Sequence, residues 1–198
     1  RYVFDDINLE QTTKFFAAPN RLFDEIFFFY VSSDAVEIDR YVKFNYTEGT
    51  WDIGTLARTA WVDAGIHPRP RGAGIVSDNS YVFIHENGDS DDGSTMNSYI
   101  ESSDFDLQDG NNFMFVSKII PDIAITGTDA EVSYTLKTRD FPSEAAVTEA
   151  TTSVLATTKK ADVRCRGRTG ILRISSDSIT AAWTLGETRL DLRPDGRR

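Results

Sequence analysis

The chain has 198 residues, 40% hydrophobic and 12% aromatic, which excludes a disordered polymer and allows one large β domain or two smaller ones. A formal net charge of −10 argues against ordinary nucleic-acid binding, which needs a basic footprint to neutralise phosphates. The single cysteine, Cys165, rules out an internal disulfide framework and a cysteine-based zinc site.

In chain order, residues 1–24 form a connecting segment. Asp5 to Phe16 is expected to be a short helix capped by Asp6 or Asn8, with Phe15 and Phe16 inward and Pro19-Asn20 ending it. Phe27 to Tyr30 is an aromatic run too short for a membrane span and suited to a buried strand. In the next run Tyr41, Lys43 and Asn45 alternate with Val42, Phe44 and Tyr46, and Thr47–Thr50 turns the chain with Gly49 in a left-handed position. The return strand passes through Trp51 and Ile53, and Gly54 lets it bend. Such an antiparallel meander has open edges and one apolar face, so it needs neighbours of its own kind. It reads as a propeller blade.

Residues 57–62 continue extended, and Pro68 and Pro70 stiffen the following connection. Gly74–Val76 and Tyr81–Ile84 are expected strands around a turn at Ser77–Ser80, followed by a polar loop and an extended run over 98–107. The aromatic runs at 26–30 and 81–84 lie about one blade length apart, so 25–110 is expected to be a partial β-propeller-like region. Asp109-Gly110 is the expected boundary. From Phe113 the strands lengthen: FMFVSKII, DIAITG and, after a turn at Gly127–Asp129, EVSYTLKTR. Pro142 to Lys160, rich in Ala, Thr, Ser and Glu, reads as a mobile loop. DVRCRGR, GILRIS, TAAWTLGE and TRLDLR follow, so 111–198 is expected to be an antiparallel β-sandwich. The fold class is all-β.

Little here suggests catalysis. His67 precedes a proline in a loop and His85 ends a strand, and neither neighbours a nucleophile elbow. Cys165 alternates with Val163 and reads as a core residue. Asp89, Asp91 and Asp92 before Gly93 lack the spacing of an EF-hand loop. A glycosidase needs two carboxylates at defined separation in a cleft, which sequence does not display. No catalytic residue, cofactor or metal ligand is assigned.

The arginines are the distinctive feature. Residues 1–158 carry 11 basic and 26 acidic side chains, a net of −15, whereas 159–198 carry 10 and 5, a net of +5. Arg164, Arg166 and Arg168 fall on one face of a strand, and Arg189 and Arg193 flank Asp191 on another, with Arg197 and Arg198 beyond. No aromatic or glycine platform is expected to interleave them on that face, which counts against DNA binding. An ion-paired ladder fits the overall acidity better, either within the chain or at a subunit interface formed by Arg164, Arg166, Arg168, Arg189 and Arg193.

Three segments carry a family likeness: DEIFFFY…DRYVKFNYTEGTWDIGTLARTAWVDAG (24–65), YIESSDFDLQDGNNFMFVSKIIPDI (99–123) and DVRCRGRTGILRISSD…AWTLGETRLDLRPDGRR (162–198). Together they resemble the C-terminal part of the tail nozzle, or tail tubular protein B, family of short-tailed bacteriophages. The resemblance implies a virion tail protein assembled in the host cytoplasm. It would be a β-propeller with appended β domains, ring-forming with copies of itself and with other tail proteins. DNA would pass through such a ring without sequence-specific binding, and no membrane insertion is implied. Members of that family are longer, and this sequence lacks an initial methionine, so a fragment of a longer chain is expected. The alternatives are a host-glycan-binding β-sandwich, using Trp51, Trp61 or Trp183, and a propeller-type glycoside hydrolase.

Overall fold

Regular structure is almost entirely antiparallel strand in the computed structural model of the chain, which describes residues 2–127, 130–179 and 181–196. The chain divides into two units, Arg1–Asn87 and Gly88–Arg198.

The first unit begins with a helical turn, α1 (Tyr2–Asp6), and a 3-10 segment (Leu9–Lys14) whose cap is Asn8, its side chain accepting from the Glu10 N–H at 3.0 Å. Strands β1 (Phe16–Asn20), β2 (Glu25–Tyr30), β3 (Arg40–Asn45) and β4 (Thr50–Thr55) then make a four-stranded meander in sequence order. Its buried side is aromatic: Phe27 and Phe29 stack at 5.6 Å, Phe16 lies 4.7 Å from Phe29, and Tyr41 and Trp61 close the cluster. The β3–β4 turn forms as expected. The Asn45 side chain accepts from the Thr47 and Glu48 N–H groups, and Gly49 has φ +71°. A second, three-stranded sheet comprises β5 (Ala60–Val62), β6 (Arg71–Val76) and β7 (Asn79–Ile84).

The second unit contains β8 (Ser98–Glu101), β9 (Phe105–Asp106), β10 (Met114–Ile120), β11 (Ile123–Thr126), β12 (Val132–Arg139), β13 (Val147–Val154), β14 (Ala161–Gly167), β15 (Thr169–Ser176), β16 (Ala182–Leu185) and β17 (Arg189–Pro194). One sheet runs β13-β12-β15-β8, with β9 also on β15; another runs β14-β10-β17; β11 and β16 form a pair. Strict alternation in β12 buries Val132, Tyr134, Leu136 and Thr138, and β14 buries Ala161, Val163, Cys165 and Gly167. Val132, Tyr134, Leu136, Ala161, Val163 and Cys165 join Val116 and Ile119 of β10, Val154 of β13 and Ile174 of β15 in one core. Each fully buried aliphatic side chain contributes about 1.5–3 kcal/mol of transfer free energy.

Several expectations are corrected. Phe16–Asn20 is a strand rather than a helix end; β1 lies at a sheet edge, where Pro19 removes no needed hydrogen bond. Residues 147–154 are not a loop: β13 pairs with β12 over its length, and its Thr and Val residues fit a pleated surface. The expected boundary at 110 gives way to a division after Asn87, because β8 and β9 hydrogen-bond to β15. Gly54 makes room rather than a bend. It lies across from Tyr41, and a Cβ there would overlap the Tyr41 ring. Thr128 and Asp129 of the expected turn, and Arg197 and Arg198, lie outside the described residues.

Candidate functional site

The β14-β10-β17 sheet gathers the arginines. Because β14 buries alternate residues, Arg164 and Arg166 point outward; on β17, Arg189, Asp191 and Arg193 do the same. Between them β10 supplies Phe115, whose cross-strand neighbours are Arg166 on one side and Arg193 on the other. An aromatic therefore interleaves the arginines after all. It comes from the adjacent strand, not from their own. Past an irregularity at Ser117, Lys118 sits opposite both Asp162 and Asp191.

The five arginines do different work. Arg166 donates through Nε to Asp195 at 2.6 Å, and its guanidinium lies 3.9 Å from the centre of the Phe113 ring. Arg168 is outside β14, in the bend before β15; it donates to the carbonyls of Gly110 and Asn111 at 3.1 and 3.4 Å and lies 4.6 Å from the Phe113 ring centre. The Phe113 N–H and carbonyl bond in turn to the Gly196 carbonyl and Asp195 N–H, so both arginines clamp this segment of the chain. Arg189 sits 3.6 Å from Glu187 on the open surface. Arg193 lies over Phe115 with 4.7 Å to its ring centre. Arg164 is exposed and makes no hydrogen bond or ion pair with any described residue. Arg164, Arg193, Phe115, Ser117, Asp162 and Val163 line a depression of about 670 Å³.

No family model matches this sequence, and no curated protein sequence matches it.

The other candidates have local structural explanations. Cys165 is buried, and burial pushes its thiol up to about 11, away from the thiolate needed for nucleophilic chemistry. His85 Nε2 accepts from Arg58 Nε at 3.0 Å and its ring lies 4.6 Å from Trp61. Arg58 in turn is buried over Phe83, at 3.9 Å, where Gly72 and Gly74 of β6 leave space for it. His67 is exposed. Asp89, Asp91 and Asp92 are exposed on a tight turn with Asp92 at φ +49° and Gly93 at φ +83°. Among the described residues no group of three or more His, Cys, Asp or Glu could hold a metal ion, and no helix is long and apolar enough to cross a membrane.

Sequence reasoning did not find the polar cluster at one end of the β1–β4 sheet. The Asn20 Nδ2 donates to Glu86 at 3.0 Å and reaches Glu25 at 3.5 Å, while Lys43 bonds Glu25 at 2.8 Å and lies 3.4 Å from Asp52. Burial opposes the charge on Lys43, but its bond and proximity to Glu25, with help from Asp52, outweigh burial and raise its pKa. Burial raises the Glu86 carboxyl against the opposing bond from Asn20. Glu25, Lys43, Asn45, Glu48, Thr50 and Asp52 line a pocket of about 190 Å³. The Lys43 ammonium is shared between the Glu25 and Asp52 carboxylates, so the cluster works as an ion-paired support for the sheet. Of the three tryptophans only Trp51 is exposed, stacked 4.7 Å from Phe44; Trp61 donates to the Pro19 carbonyl and Trp183 to Ser98.

Proposed function

We propose that this chain is a structural component of the tail of a short-tailed bacteriophage, part of a ring-forming nozzle or tube through which the genome leaves. The observation that carries the reading is the likeness of residues 24–65, 99–123 and 162–198 to the nozzle family. In the structure those three segments supply β2–β5, most of β8, all of β9 and β10, and all or nearly all of β14–β17. On this reading the first unit is a portion of a propeller, its sheets completed by neighbouring blades, and the second is a β-sandwich. An acidic chain suits a conduit, because phosphates slide past carboxylates rather than binding them. No enzymatic activity is part of the proposal. Mass spectrometry of purified phage particles tests it: peptides of this sequence at ring-like copy number support it, and particles without the chain refute it.

A second reading is favoured by one feature, the exposed Trp51 and Phe28 with half-buried Phe44 beside them on the β2–β4 face. Aromatic faces of this kind suit sugar rings, and the ligand would be a host glycan. Glycan-array binding abolished by Trp51→Ala supports that reading, and no binding to any sugar eliminates it.

A further inference from the structure

The structure sorts the arginines by what already holds them. Arg166 and Arg168 are committed to Asp195, Gly110, Asn111 and Phe113 of their own chain, and Arg189 stands beside Glu187. Arg164 and Arg193 are left facing the depression, one on each side of Phe115, and neither forms an ion pair with a described residue. The same unit carries the opposite surplus at residues 89–92. Asp89, Asp91 and Asp92 are exposed, and their carboxylates likewise have no hydrogen-bond or ion-pair partner among the described residues. Their backbone is held in a tight turn by reciprocal bonds between Asp91 and Ser94 at 3.0 and 2.9 Å.

We infer that the Arg164–Phe115–Arg193 face binds a second copy of this chain through its Asp89–Asp92 turn. Asp162 and Ser117 share the lining, but Arg164 and Arg193, neither in an ion pair, outnumber that one carboxylate and suit incoming ones: the guanidinium fork matches a carboxylate, and the Phe115 ring excludes water from the contact. Because the two patches differ, the contact is heterologous, each copy giving its acidic turn to one neighbour and its arginine face to another. Contacts of that class close into rings or extend into filaments. This rests on the ring-forming reading above and names its contact. It also fits the net of −15 before residue 159 against +5 after it.

The test is sedimentation velocity of the 198-residue chain over a concentration series, at about 0.01 M and about 1 M salt, where the Debye length falls from about 30 Å to about 3 Å. The wild type is expected to associate at low salt and dissociate at high salt. Arg164→Glu/Arg193→Glu, and the milder Arg164→Gln/Arg193→Gln, are each expected to weaken association about tenfold or more, with the thermal transition lowered only by the loss of the Arg193–Phe115 contact. Mixing the Arg→Glu chain with an Asp89→Lys/Asp91→Lys/Asp92→Lys chain is expected to restore association that neither shows alone. A wild type that stays monomeric, association insensitive to both arginine variants, or a mixture that does not associate overturns the inference. So does binding of single-stranded DNA or an acidic glycan at this face in place of the second copy. Chain present in phage particles but indifferent to Arg164 and Arg193 sinks this contact alone. Salt-sensitive, variant-sensitive association of a chain absent from particles sinks only the tail assignment.

Discussion

Replacing Arg166 by alanine separates a residue that holds its own chain from one that faces outward. Its ion pair with Asp195 is short, 2.6 Å, but both side chains are 43–46% exposed, which confines the pair to about 0.2–1 kcal/mol. The guanidinium at 3.9 Å from the Phe113 centre adds about 0.5–1 kcal/mol. Asp195 stays half in water after the change, so no buried orphan charge adds to the loss. The expected cost is about 1–2 kcal/mol, whereas Arg164→Ala, with no described partner, stays within about 0.5 kcal/mol. Urea unfolding followed by circular dichroism measures both, and hydrogen-exchange mass spectrometry assigns the transition to residues 88–198. An Arg166→Ala/Asp195→Ala cycle is expected to return about 0.5 kcal/mol of coupling. The reasoning is refuted if Arg166→Ala is as silent as Arg164→Ala, or if Arg164→Ala costs as much as Arg166→Ala.

Glu86 has its folded pKa raised by burial, so the folded state holds its proton to higher pH than the unfolded state does. Its contribution is full below the unfolded value, near pH ~4.3, and is lost as pH rises through the folded value. Glu86→Gln is expected to flatten that decline in a pH series of chemical denaturation, and an unchanged series rejects the assignment. Gly54→Val drives a side chain into the Tyr41 ring and is expected to cost about 1–3 kcal/mol in thermal melts of the first unit; a neutral result shows that the ring moves aside freely. Cys165, buried with its thiol raised to about 11, is expected to react with a disulfide reagent only upon unfolding, so fast labelling of native protein contradicts the packing.

The parts of this fold that sequence displays are those where one strand carries its own pattern. The BiBiBiBi burial of β12 follows its Val132, Tyr134, Leu136 alternation, and the Gly49 turn announces itself through Asn45 and glycine. β13 hides because its outward positions are Thr and Glu and only Val154 is fully buried, so nothing local marks its core side. β1 hides because Pro19 and Asn20 look like breakers, although an edge strand tolerates proline and Asn20 is buried by its bonds to Glu25 and Glu86. Phe115 joins the arginine face only through registers with strands about 50 and 78 residues away, and such pairings leave no mark in the local sequence. The same holds for Glu86, which meets Asn20 across 66 residues.

Strand β10 has a temporal consequence. Its two hydrogen-bonding partners, β14 and β17, are made only at residues 161–167 and 189–194. During synthesis, one edge of β10 therefore waits for β14 until about 45 further residues are made, and the other for β17 until about 70 are made, at about 5–20 residues per second. The β1–β4 meander, whose partners are sequence neighbours, is free to pair long before that. The arginine face is thus among the last surfaces to exist on a nascent chain, so any contact it makes with another copy is deferred until the second unit is complete.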